Sequence, residues 1–359
     1  MRILTVNAGT SSLKLSVVGD GDVTVGARDL EALSSASLDA VEDFARGSGP
    51  LDAVGHRLVH GGASFREAVV VDSRVRATLD SVAELAPLHM PPALRLLDEL
   101  RRRFPVPHVA CFDTAFHATL PPSAYTFAIP ERWRALGVRR YGFHGLSCAW
   151  SLGRAAELLA RPAAELNLVV AHLGSGASVT AIRDGKSSDT SMGLTPVDGL
   201  VMATRSGAVD PGALAWLLTA RGVDAGDLSR ALESESGLTA VAGVPDMREV
   251  LRRSTAGDET ATLAIDVYVH RACAQIASVA ASLERLDALV FTGGVGEGSA
   301  EIRGSVCAGL AVLGMGGVVR GLSGADDSVV SEPGASPAVL VVHAREDLEI
   351  AREVRLLLG

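Results

Sequence analysis

Apolar and polar positions alternate over residues 12–18, and a short apolar run, Ile3-Leu4-Thr5-Val6, stands just before them. The alternation predicts a half-buried strand and the run predicts a fully buried one. Between the two lies Asn7-Ala8-Gly9-Thr10-Ser11-Ser12-Leu13-Lys14, a glycine among small polar side chains that ends in a lysine. Such a stretch predicts a tight antiparallel turn whose N–H and hydroxyl donors can face an anion. It also suits an ordinary hairpin turn. A third strand over about 22–28 follows the turn Gly19-Asp20-Gly21-Asp22.

Helical spacing appears over 36–47 and again from 73 to 103, with a break at Pro87-Leu88-His89-Met90-Pro91-Pro92. Between them an extended run opens at Ala53-Val54 and reaches His60-Gly61-Gly62. Val106 to Phe112 reads as a strand that delivers Asp113-Thr114 at its end. After Pro121-Pro122 the chain is less regular through Arg139-Arg140-Tyr141-Gly142-Phe143-His144-Gly145, and a helix follows over 147–160. Strands mixed with helices in this order place the chain in the α/β class.

The opening design then returns. Leu168-Val169-Val170-Ala171 is an apolar strand, Gly174-Ser175-Gly176-Ala177-Ser178 a small-residue turn, and Val179 to Ile182 a second strand. Asp184-Gly185-Lys186 closes a further hairpin, as Asp20-Gly21 does. We read this as a duplication of one α/β unit, although turn chemistry is a small menu and two similar hairpins also arise by coincidence. Helices over 211–221, 226–234 and 258–285 lead to a strand at 286–291. Thr292-Gly293-Gly294-Val295-Gly296-Glu297-Gly298-Ser299 and a helix over 299–313 come next. A strand, a glycine-rich loop and a helix N-terminus together predict a dock for phosphate or ribose. A strand at 338–342 and an amphipathic helix at 346–358 complete the pattern.

Composition narrows the picture. The chain has 359 residues, enough for two domains of about 150, and is 48% hydrophobic with only 4% aromatic residues, so its core is aliphatic. A net charge of −9 argues against non-specific binding to nucleic acid or to an anionic membrane. Cys111, Cys148, Cys273 and Cys307 are scattered without a C-x-x-C, which favours neither a disulfide framework nor a zinc site. No secretory pattern precedes the first strand, and no apolar run approaches the ~20 residues of a spanning helix, so a cytoplasmic protein is expected.

Several familiar glycine motifs fail. Ser299 stands where the third glycine of G-x-G-x-x-G belongs, and Thr180 where a Walker A glycine before Gly185-Lys186-Ser187 belongs. His60-Gly61-Gly62 has no G-x-S-x-G elbow to serve, and the histidines form no H-E-x-x-H. What remains is a cleft enzyme with phosphate-sized loops and isolated arginines.

The set of motifs resembles acetate kinase. Asn7 to Lys14, His56 to Gly62, Phe112 to His117, Arg139 to Gly145, His172 to Ser178, and Asp189 to Pro196 look like successive signatures of that family. Thr204-Arg205-Ser206-Gly207, Asp246-Met247-Arg248 and Phe291 to Glu297 complete the set, in the family's order and along nearly the whole chain. The resemblance implies the duplicated ribonuclease H-like fold of actin, Hsp70 and the sugar kinases. Its acceptor-side domain would comprise 1–117 with 346–359, and its nucleotide-side domain 118–345.

It also implies ATP + acetate ⇌ ADP + acetyl phosphate by direct in-line transfer, with Mg²⁺ or, in its place, Mn²⁺. Arg57 and Arg205 would then hold the phosphoryl charge, Arg57 also gripping the acceptor carboxylate. His144 would donate to the transferring group and Asp113 would orient the arginine or the metal shell. Asn7 and Glu346 would approach the metal. Lys14, His172, Leu173, Gly174, Ser175 and Gly176 would meet the nucleotide phosphates, Asp246, Met247 and Arg248 the ribose and base, and Gly294, Val295, Gly296 and Glu297 the adenosine side. Val59, Leu88, Phe143 and Pro196 would enclose the acceptor's methyl, and a homodimer is implied.

Taken singly, these residues have blander readings. An arginine flanked by histidines suits a surface ion pair, a histidine beside Phe143 a satisfied core position, Asp113 a turn or cap, and Arg205 a solvated loop. The chain also departs from the family pattern at Met90, Leu146, Cys148, Ser175 and Ala208, and carries Ala344-Arg345-Glu346-Asp347 near its end. Two alternatives follow: a kinase of propionate or another short carboxylate, or a nucleotide-binding member that has lost transfer.

Overall fold

The computed structural model describes residues 1–9, 12–31, 35–315 and 326–359. Thr10 and Ser11 of the first turn lie outside the described residues. The chain forms two compact units: Met1–Ala118 with Phe143–Trp150 and Arg345–Gly359, and Thr119–Gly142 with Ser151–Ala344. This division departs from boundaries at 117/118 and 345/346 chiefly in Phe143–Trp150, which belongs to the first unit.

The first unit is built on a sheet of β1 (Ile3–Ala8), β2 (Ser12–Val18), β3 (Thr24–Glu31), β4 (Ala53–Leu58), β5 (Val69–Val70) and β6 (His108–Phe112), ordered β3-β2-β1-β4-β6-β5. β1 and β2 are antiparallel with Asn7 opposite Lys14, whereas β1, β4 and β6 run parallel. The apolar positions of β1, β2 and β4, including Leu4, Val6, Leu13, Leu15, Val17 and Val54, cluster with Val41, Ala45, Leu96 and Leu100 from two helices. One of these is Met90–Arg103. Its Pro91 and Pro92 fall in the first turn, where a missing N–H costs nothing. The expected break is present, between the helices Ser73–Val82 and Met90–Arg103, and Pro91 and Pro92 start the second of them. The last helix, Glu346–Leu358, buries Leu348, Ile350, Ala351 and Val354 and packs on β1 and β4.

The second unit repeats this plan. β7 (Leu168–Leu173), β8 (Ala177–Arg183), β9 (Lys186–Thr190), β10 (Ala288–Thr292), β11 (Ser328–Val329) and β12 (Ala338–Val341) are ordered β9-β8-β7-β10-β12-β11. Each strand pairs with the same sense as its counterpart: two antiparallel hairpins, two parallel steps and an antiparallel edge. The duplication read from the two hairpins thus extends across both sheets.

The segment expected to be a glycine loop after β10 is instead a short helix, Gly293–Gly298, followed by the helix Ala300–Gly309. Four other helices of this unit open on aspartates that accept from first-turn amides: Asp210, Asp224, Asp246 and Asp258.

Candidate active site

Arg57 stands next to last on β4, and Asp113 directly follows β6, so the parallel register of these strands brings both to one sheet edge. The Asp113 amide donates to the Leu58 carbonyl, carrying the strand pairing one step further. Arg57 donates through Nε to both carboxylate oxygens of Asp113, at 3.0 and 3.1 Å, and through Nη2 to Oδ2 at 2.6 Å. Its Nη1 donates to Asn7 Oδ1 at 3.1 Å, and Asn7 Nδ2 in turn donates to Glu346 Oε2 at 2.6 Å. A guanidinium has five N–H bonds. Among the described residues, these contacts leave one N–H on each terminal nitrogen, a pair suited to an oxyanion.

Burial works against the charge of Arg57, but the carboxylates of Asp113 and Glu346 outweigh it and raise its pKa. Asp113, with a side chain 1% exposed, is pushed upward by burial while the Arg57 guanidinium pulls it back. Arg57 is therefore a fixed guanidinium whose orientation is set by its carboxylate partner.

His144 is buried and has φ +57°, a left-handed backbone that costs a non-glycine residue roughly 1–2 kcal/mol. The next residue explains how it is held. Gly145 donates from its amide to the Asp113 carbonyl at 2.9 Å, and a Cβ there would lie 2.2 Å from that oxygen and 2.8 Å from Phe116 Cβ. Only glycine lets the two backbones meet, so His144 is pinned beside Asp113. Phe143 and Val59 are buried nearby in the same unit, while Leu88 is 59% exposed. His117, buried and donating from Nε2 to the Phe143 carbonyl, has its pKa lowered to about 4 by burial. Lys14 is exposed.

In the second unit, Arg205 donates through Nη1 to the Pro196 carbonyl at 3.2 Å and to Met202 Sδ at 3.7 Å. Its neighbours are clamped: Thr204 Oγ1 donates to the Glu233 carbonyl, and the Ser206 amide to that of Leu232. His172 and Leu173 end β7. Leu173 is fully buried, with Gly293 packed against its backbone. Gly174 donates to the Gly176 carbonyl, and Ser175 accepts from Ala203. A Cβ on Gly174 would sit 3.6 Å from His172 Nε2 and 3.8 Å from the Gly294 amide, so the turn after β7 and the glycine helix after β10 adjoin.

Gly293, at φ +78°, lets that helix start hard against the Leu173 backbone. Gly294 is exposed and Val295 half-buried, whereas Gly296 is buried. Glu297 turns its Oε1 to two backbone amides, Gly293 at 2.7 Å and Ala344 at 2.9 Å. Asp246 caps its helix and also pairs with Arg248 at 2.6 Å, which lowers its pKa through that hydrogen bond, and Met247 is buried.

Two residues of this geometry were not singled out from sequence. Gly145 shows only as the glycine after Phe143-His144. Arg303, fully buried, donates to the carbonyls of Gly296 and Glu297 at 2.8 and 2.7 Å and so holds the glycine helix at its end. Its signal is an arginine on the face otherwise formed by Ile302, Val306 and Cys307.

A family model, the Acetokinase family, matches residues 26–352. The chain belongs to the acetokinase family. It is 41% identical to an acetate kinase of Deinococcus radiodurans, over 100% of this chain and 98% of that protein. Among solved structures, acetate kinase from Porphyromonas gingivalis superposes with a TM-score of 0.90 at 34% identity, covering 100% of both chains. A propionate kinase from Francisella tularensis gives 0.91 at 34% identity, over 99% of this chain and 100% of that one. The acetokinase chain is therefore an ATP-dependent carboxylate kinase, and its two sheets share one strand order. Among the described residues, no helix is long and apolar enough to cross a membrane.

Proposed function

We propose that the protein is an acetate kinase that moves the terminal phosphoryl group of ATP directly and reversibly to acetate. The observation that carries this reading is the doubly bonded Arg57–Asp113 pair, joined to Asn7 and Glu346, in a chain of the acetokinase family. In the proposed reaction Arg57 offers its two remaining N–H bonds to oxyanions, gripping the acceptor carboxylate. It shares the charge of the phosphoryl group with Arg205. Asp113 holds the guanidinium in plane. His144 donates to the transferring group, and its left-handed backbone supports that role because such strain gathers at functional positions. No general base is needed, since acetate is ionised near neutral pH.

Asn7 Oδ1 and the Glu346 carboxylate are hard oxygen ligands held together because Asn7 Nδ2 donates to Glu346 Oε2 at 2.6 Å, a set that fits Mg²⁺, or Mn²⁺ in its place. When bound, the ion would neutralise charge on the phosphate oxygens. Lys14, His172 and the 173–176 turn are proposed to meet the nucleotide phosphates, Asp246 to Arg248 the ribose and base, and Gly294 to Glu297 the adenosine side. Support comes from the adjoining of Gly174 and Gly294. Val59, Leu88, Phe143 and Pro196 would enclose the acceptor's methyl. One added methylene is worth about 0.8 kcal/mol of burial, so propionate is expected as a poorer or comparable second substrate.

A homodimer belongs to the same proposal. It is supported by the helix Pro211–Ala220, almost wholly apolar in sequence and without one buried residue. A cytoplasmic location fits the four unbridged cysteine thiols. The test is incubation with ATP, Mg²⁺, hydroxylamine and a panel of short carboxylates. Acyl hydroxamate should form fastest with acetate, and ADP without hydroxamate for any acid would leave only a nucleotide-binding protein.

A further inference from the structure

The pairing of β10 with β12 ends at Phe291 and Val341, and beyond it the Val342 amide still donates to the Phe291 carbonyl at 2.9 Å. His343 then donates its amide to Asp327 Oδ1 at 2.8 Å. The Ala344 amide, one residue further, is met by Glu297 Oε1. A side chain has taken over from the ladder just where the chain leaves the second unit, since Arg345 already belongs to the first and is followed by Glu346.

The same oxygen of Glu297 accepts from the Gly293 amide, the first residue of the glycine helix. One carboxylate oxygen therefore joins that helix to the crossing strand, and Arg303 fixes the helix from its far end through Gly296 and Glu297. Charge-assisted bonds from a carboxylate to backbone amides are about twice as strong as neutral ones, so the junction is stiff on both sides.

We propose that Glu297 is a positioning residue that couples nucleotide binding at Gly293–Gly298 to the order of the 342–346 crossing segment. It acts through the backbone amides of Gly293 and Ala344. The inference rests on the glycine helix facing the nucleotide, as proposed above, and reassigns Glu297 within it. A ligand that settles the glycine helix settles Glu297 and with it Ala344, and thereby the backbone that delivers Glu346.

Hydrogen–deuterium exchange of the full chain, with and without ADP, tests this. In the wild type, ADP should slow exchange in peptides covering 293–298 and also 342–346, each by about tenfold. In Glu297→Ala, ADP should still protect 293–298, but 342–346 should exchange at one rate with or without it. A residue that merely supports the fold would alter that rate equally in both conditions. Glu297→Gln, which keeps an uncharged acceptor, should be intermediate and serves if the alanine variant does not fold. Wild-type protection confined to 293–298, or ADP-dependent protection of 342–346 surviving in Glu297→Ala, overturns the coupling alone. Protection of neither segment in the wild type overturns the nucleotide reading of the glycine helix and the coupling with it.

Discussion

Replacing Arg57 by lysine keeps a positive charge at the end of β4 but removes the planar fork that meets Asp113 through Nε and Nη2. An ammonium has three donors but no planar fork, so it cannot meet Asp113 with two parallel bonds and still present a second pair to an oxyanion. Arg57→Lys should lower kcat by about 100- to 1,000-fold while ADP still binds, as calorimetry can check. Unchanged turnover would remove the assigned role. Gly145 makes a different kind of prediction. Its missing Cβ is what lets the Asp113 carbonyl approach, so Gly145→Ala must push apart two backbones at a cost of about 3 kcal/mol. Thermal stability and kcat should fall together, and a variant as stable and active as the wild type would show that the contact is soft. Arg57 and Asp113 were singled out by the family resemblance alone, because an arginine between histidines and an aspartate at a strand end suit a surface pair and a cap equally well. Gly145 was not, because its reason is a through-space collision with a residue 32 positions earlier. Asp246 shows the converse: its capping role is local, and the structure adds the pairing with Arg248 that sequence reading passed over.

At the scale of elements, the helix Glu346–Leu358 lays two carboxyls, Glu349 and Glu353, against the first sheet. Burial raises both to about 7; Arg352 draws Glu349 down and Asp22 pushes it up, while the Cys111 thiol draws Glu353 down and Glu349 and Asp113 push it up. Because the folded values lie above the ordinary carboxylate value, the fold favours the protonated forms. Their contribution is fully present below about 4.5, the unfolded value, and is lost as pH rises through about 7. Buried His56, His108 and His117, all with pKa values lowered by burial, act in the opposite sense over the same pH range, so the prediction is a difference between proteins. From pH 5.5 to 8 the melting temperature of the wild type should fall by about 2–4 °C relative to that of Glu349→Gln/Glu353→Gln, and parallel curves for the two would place the pH dependence elsewhere. The element pattern itself was readable wherever alternation or helical spacing ran for several residues. β9, Lys-Ser-Ser-Asp-Thr, was implied only by the Asp184-Gly185-Lys186 hairpin, and its extent was not legible because its buried hydroxyls, satisfied across the sheet as Thr190 is by Thr180, give no apolar alternation. The two-residue strands β5 and β11 are too short to leave a pattern. The glycine helix escaped because Glu297 and Arg303 override the low helical propensity of its four glycines.

For the whole molecule, the repeated strand order means that each sheet supplies a parallel β-edge ending in chemistry-bearing residues: Arg57 and Asp113 in the first, His172 and the glycine helix in the second. The hairpins made that repeat legible, whereas the parallel steps needed the folded chain. The second unit carries one feature that the repeat does not explain. The helix Pro211–Ala220 reads Pro-Gly-Ala-Leu-Ala-Trp-Leu-Leu-Thr-Ala, yet Trp216 is 48% and Leu218 38% exposed. An apolar helix with no buried residue gains its stability by covering that surface, and exposed apolar faces of this kind mark interaction sites. In the proposed homodimer a second copy covers it. Light scattering should give twice the 37.1 kDa chain mass, and Trp216→Glu, which puts a charge into the proposed contact, should shift the protein to the monomer while Trp216→Phe does not. A wild type that stays monomeric at all concentrations ends the dimer reading, and a Trp216→Glu protein that remains dimeric moves the contact away from this helix.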